Sequence, residues 1–117
     1  MSINITFDPL VLRSNFDAGP DAFDTFFSIF KKNYPDRMGK LEKCINEEQD
    51  FEQMYGVAHT IKGSISYFYV DDLTQICVKM EDAIKTRDLE KIKDHFLVYK
   101  ENLEYFLKTV TAGLESL

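Results

Sequence analysis

The stretch DFEQMYGVAHTIKGSISYFYVDDLTQICVKMEDAIK, Asp50–Lys85, decides the fold, because it contains two amphipathic helical patterns with almost nothing between them. Asp50, with Gln53 three residues later, predicts a capping box that opens a helix at about Phe51. Its apolar positions are Phe51, Met54, Ala58, Ile61, Ile65 and Phe68, at helical spacing. Asp71 and Asp72 predict the next N-cap, with Gln75 as partner of Asp72, ahead of a stripe of Leu73, Ile76, Cys77, Met80 and Ile84. So short a connection makes the pair an antiparallel hairpin.

The same periodicity extends to both ends of the chain. Asp8 and Pro9 predict the N-cap and first position of a short helix carrying Leu10, Val11 and Leu12, which the DAGP run at 17–20 breaks. From Pro20, the residues Phe23, Phe26, Phe27, Phe30 and Tyr34 recur in steps that predict a long amphipathic helix, and Pro35 is expected to end it. Met38, Leu41 and Ile45 then predict a shorter separate helix with Gly39 near its start. Asp88 caps a last helix with a stripe of Leu89, Ile92, Phe96, Tyr99, Leu103, Phe106 and Val110, and Gly113 suits its end. The expected fold is all-α, an antiparallel four-helix bundle with an additional short N-terminal helix laid across it. Residues 1–117 are read as one domain, with the bundle core at about 20–112.

Composition narrows the function. A net charge of −6 argues against nucleic acid, since phosphate neutralisation needs clustered Lys and Arg, so a protein partner or small ligand is expected. No run approaches the roughly 20 apolar residues of a membrane span, and the first residues carry neither a basic start nor a long apolar segment. Cys44 and Cys77, with no Cys-x-x-Cys spacing, and the two histidines His59 and His95 do not make a recognisable zinc pattern, so no metal is expected. Two buried reduced thiols fit a cytoplasmic protein.

One position stands apart. On a helical wheel with Met54 at zero, the core residues fall within about 60°, whereas His59 lands near 140°, Lys62 near 80°, Gly63 near 180° and Gly56 near 200°. Each glycine inside a helix costs roughly 1 kcal/mol against alanine, and here the pair leaves the histidine ring uncovered. Lys62, one turn on, places an ammonium where an anion bound at the imidazole would be met. With no paired serine or cysteine nucleophile nearby, the histidine itself is the candidate nucleophile, and ring nitrogen accepts phosphoryl groups well. Glu81, at the edge of the next helix's stripe, is placed to lean across the hairpin and hold the other ring nitrogen. His95 has no such company and reads as a surface side chain.

AHTIKGS, Ala58–Ser64, resembles the motif of histidine-containing phosphotransfer domains, written loosely H-x-[IL]-K-G-[SAG], and the similarity in helix order covers about residues 7 to 112. The resemblance implies that His59 is phosphorylated by the aspartyl phosphate of a receiver domain and passes the group on. It implies Lys62 as the phosphate-side lysine, Gly63 as the small residue beside the histidine, and Glu81 at the position that hydrogen-bonds the ring. It further implies that magnesium belongs to the receiver partner, that the chain needs no cofactor, and that it is no kinase by itself. A hybrid histidine kinase is a second partner or parent chain, and a monomer is expected. Many members carry a glycine just before the following helix, where this chain has Tyr69. Two other readings stand beside the carrier: a helical adaptor without phosphate chemistry, and the histidine-bearing domain of a chemotaxis-type kinase phosphorylated directly from ATP.

Overall fold

The computed structural model describes residues 3–117, and among them every regular element is helical. The elements are α1 (Pro9–Ser14), α2 (Pro20–Lys43, continued by one π-helical turn at Cys44–Glu48), α3 (Phe51–Ser66), α4 (Asp71–Lys85) and α5 (Leu89–Glu115). The hairpin α3/α4 packs side by side, α5 returns along α4, α2 closes the bundle against α3, and α1 rests on α5 and α2. The bundle is elongated, 42 × 23 × 21 Å.

Three of the expected caps form. Asp8 accepts from the backbone N–H groups of Leu10 and Val11, Asp88 from those of Glu90 and Lys91, and Asp50 from that of Gln53. Two others do not. Val70 occupies the N-cap of α4 without a side-chain bond; Asp71 and Asp72 lie in the first turn, favourably placed for the helix dipole. Asp72 is spent instead on the backbone of Thr6, at 2.9 Å, which ties the N-terminal segment to the bundle. Gly113 lies inside α5, where an added Cβ would come within 2.9 Å of Pro9 Cβ, so the glycine serves the close approach of α1.

Pro35 does not end the helix. It lies inside α2, on the solvent side, while Phe23, Phe27, Phe30, Tyr34, Met38 and Leu41 form one uninterrupted buried stripe across it. The lost backbone bond therefore falls where water reaches the freed carbonyl, and burial on both sides of the proline keeps the helix whole. Met38, Leu41 and Ile45 accordingly extend this helix and its π turn and form no separate element. Phe26, expected in the stripe, is 44% exposed. The interior is largely aromatic: Phe68, at the end of the hairpin's first arm, meets Phe23, Phe27, Phe30 and Phe106 at centroid distances of 5.4 to 6.3 Å.

Tyr69 turns the chain between α3 and α4 with φ of 58°, a left-handed conformation that costs a side-chain-bearing residue about 1 kcal/mol. Tyr69, a departure from the resembled pattern in which many members carry glycine, thus keeps a glycine-like backbone while carrying an exposed phenol ring.

Burial also holds acidic groups in their neutral form. The Cys77 thiol is pushed up to about 12, first by burial and then by Glu81. The hydroxyls of Tyr34 and Tyr99 are raised as well, chiefly by burial, with Glu104 adding to the effect at Tyr34. In the unfolded chain these groups ionise near their ordinary values of 9.0 and 10.0. Above about pH 9 the unfolded state therefore binds fewer protons than the folded one, and stability falls as pH rises, by up to ~1.4 kcal/mol per pH unit per group. Urea unfolding is expected to give equal stabilities at about pH 7 and 8 and a loss of at least about 1 kcal/mol by pH 10.5. A flat profile to pH 11 would contradict this.

Candidate functional site

His59 stands on the solvent-facing side of α3, its side chain 60% exposed. Its ring is nevertheless held. Nδ1 lies 3.2 Å from Oε2 of Glu81, which projects from the middle of α4 and is only 3% exposed. The other carboxylate oxygen of Glu81 accepts from Lys62 Nζ at 2.9 Å. One buried carboxylate thus joins two side chains a turn apart on α3, and a buried carboxylate is tolerated because both oxygens have donors.

The arrangement selects the tautomer. In the neutral ring a carboxylate at Nδ1 calls for the proton there, which leaves the lone pair on Nε2. The Lys62 ammonium has its pKa raised, first by the hydrogen bond it donates to Glu81 and then by that carboxylate's charge, so it stays cationic throughout the neutral range. The sequence placed Lys62 beside an anion on the imidazole; in the structure its ammonium is engaged with Glu81, and Glu81 itself is buried where a helix-face residue would have been solvated.

Gly56 and Gly63 flank the histidine on the same face, and a Cβ built on either would meet nothing within 4 Å. No close packing requires them, so the bare surface itself is what they provide. The hydroxyls of Thr60, Ser64 and Ser66 bond back to carbonyls of their own helix, those of Gly56, Thr60 and Gly63, which holds them down against α3. His95 stands elsewhere, with Nδ1 bonded to the Lys91 carbonyl oxygen within α5.

Tyr55 is the contact that sequence reading passed over. Its ring stacks on the imidazole, centroids 5.7 Å apart and planes 15° from parallel. The signal was its i−4 spacing from His59, which brings two ring side chains together on a helix face. Glu81 and Tyr55 together leave the ring little rotational freedom, one through an edge and one through a face. No cluster of three or more His, Cys, Asp or Glu suited to a metal ion occurs among the described residues, and no described helix is long and apolar enough to cross a membrane.

The site is thus a held imidazole on an uncovered helix face of a helical bundle, with Nδ1 engaged by a buried carboxylate. The Hpt domain family matches residues 25–115, and the chain belongs to that family. Such domains are phosphocarriers of phosphorelay signalling that interact with receiver domains and have no catalytic activity of their own. Comparison with curated proteins gave no match, and comparison with solved structures gave none.

Proposed function

We propose that His59 is the phosphorylated residue, taking a phosphoryl group from the aspartyl phosphate of one receiver domain and delivering it to another. The observation that carries this reading is the pairing of Nδ1 with the buried Glu81 carboxylate, which leaves Nε2 as the exposed nucleophile. In the forward step the Nε2–P bond forms as the acyl phosphate P–O bond breaks, and the electron pair leaves with the receiver's aspartate. The Nδ1 proton stays in place. The ring gains positive charge as the bond forms, and Glu81 lies where that charge develops, a preorganised stabilisation. Lys62 fixes the second oxygen of Glu81 and sits one turn from the ring, so its charge also offsets that of the arriving phosphoryl group. Magnesium and the acidic residues that bind it belong to the receiver.

The surface beside the site supports docking of a protein. Phe26 and Tyr67 stack at 5.9 Å although 44% and 58% exposed, and Ile29 is 54% exposed on the same side of α2. With Tyr67 one turn beyond Gly63, this apolar area adjoins the bare strip, and clustered exposed rings of this kind mark interaction surfaces.

The test is transfer of label from receiver domains of the source organism, each first charged with radioactive acetyl phosphate. The expected product is a phosphate on this chain that is acid-labile and alkali-stable. Absence of label from every receiver sinks the carrier reading. Labelling that instead requires ATP and a nucleotide-binding kinase domain would select the chemotaxis-type arrangement, which the carboxylate at position 81 also suits.

A further inference from the structure

On the N-terminal side of His59, α3 and the α4/α5 corner enclose a cleft of about 330 Å³ lined by Phe51, Glu52, Tyr55, Ile84, Lys85 and Arg87. Lys85 Nζ lies 5.5 Å from the Tyr55 ring centroid, and the Arg87 guanidinium carbon 5.4 Å from that of Phe51. The ion pairs among the described residues join Arg13 to Asp24, His59 and Lys62 to Glu81, and Lys100 to Glu42, so neither of these two cations has a carboxylate partner. Lys85 and Arg87 make the cation–aromatic contacts found among the described residues, and they make them side by side in one cleft of a chain of net charge −6. Glu52 on the rim leaves the cleft with two cations against one carboxylate.

Two further observations tie the cleft to function. Arg87 adopts φ of 57°, a conformation that glycine or asparagine would take at less cost, and its N–H bonds to the Ile84 carbonyl oxygen at 3.0 Å. The Thr86 hydroxyl donates to the Ala83 carbonyl oxygen and accepts from the Asp88 N–H, so the corner that carries the arginine is pinned on both sides. Secondly, Tyr55 is shared: its ring lines this cleft and stacks on the His59 imidazole. A partner close enough to exchange a phosphoryl group with His59 therefore also covers the cleft.

We infer that the cleft of Phe51, Tyr55, Lys85 and Arg87 is a charge-selective docking subsite that receives an acidic side chain of the phosphoryl-exchanging receiver. Rigid aromatic walls place the cations, and a carboxylate entering between them gains two oppositely charged neighbours without displacing any existing ion pair. The cleft would then select among receivers by surface charge, separately from the phosphoryl chemistry at His59. This rests on the carrier reading above.

The experiment uses whichever receiver labels the wild-type chain, and follows transfer to wild type, to Lys85→Arg, and to the double variants Lys85→Gln/Arg87→Gln and Lys85→Glu/Arg87→Glu. The charge-reversed variant is expected to raise KM about tenfold or more with the rate at saturation unchanged within about twofold, the neutral variant less, and Lys85→Arg little. The defect should shrink as salt rises from ~50 to ~500 mM, as screening requires. A KM within about twofold of wild type in both double variants overturns the inference while leaving the carrier reading intact. Absence of labelling by every receiver overturns both. Titration with inorganic phosphate that shifts the Arg87 guanidinium resonance, with the receiver KM unmoved by the substitutions, overturns it in favour of a small-anion site.

Discussion

His59→Gln is expected to take up no acid-labile phosphate from any receiver, while its melting temperature stays within about 2 °C of wild type. The two halves of the result have separate causes. Glutamine has similar or better helix propensity than histidine, and the side chain it replaces is 60% exposed, so little packing is lost. Its amide can also donate to Oε2 of Glu81, so the buried carboxylate keeps a partner in place of the Nδ1 bond. What disappears is the exposed ring nitrogen, and no other side chain on the strip replaces it: the nearby hydroxyls bond to backbone carbonyls. Retained acid-labile labelling in this variant would assign the phosphoryl group to another residue. Loss of folding, read by circular dichroism, would mean that the His59–Glu81 contact supports the bundle more than its exposure implies.

Gly63→Gln is expected to move stability and transfer in opposite directions. The position is helical, an added Cβ meets nothing within 4 Å, and replacing glycine by a good helix former gains about 0.5 to 1 kcal/mol. Thermal unfolding should therefore occur a few degrees higher than in wild type. Transfer should fall by about 100-fold, because the new side chain at i+4 stands over the approach to the imidazole and displaces the reacting atoms from line. Gly63→Ala should show the same gain in stability with a smaller loss of transfer. A more stable Gly63→Gln that still transfers at the wild-type rate would refute the idea that the glycine exists for clearance. A less stable one would show packing that the free surface around Gly63 does not reveal.

The elements legible in sequence were those governed by local rules. The stripe of α3, the hairpin it forms with α4, the caps at Asp8, Asp50 and Asp88, and the exposed placement of His59 and Gly63 all follow from helical repeat and short-range hydrogen bonding. Pro35 misled because its local effect is real, yet it was outweighed by the burial of Tyr34, Met38 and Leu41 along one face. Gly113 misled in the opposite sense: a glycine near a helix end suggests a cap, but here it admits Pro9 of α1, a neighbour roughly a hundred residues away in the chain.

At the site the division is equally physical. The spacing of His59, Lys62 and Gly63 is a property of one helix, so the sequence alone determined that they share a strip and that the strip is uncovered. Glu81 belongs to another helix, and its depth and the direction of its carboxylate depend on the interhelical distance and on what packs around it. Only the tertiary structure decided that it lies buried, that one oxygen holds the imidazole and the other the lysine, and that Tyr55 closes the ring from its face. The same holds for the two cations of the neighbouring cleft, which come from the α4/α5 corner and meet the rings of α3 through packing alone. Short-range order is encoded residue by residue in periodicity and caps, whereas the shared carboxylate exists only once two helices have buried their apolar faces against each other.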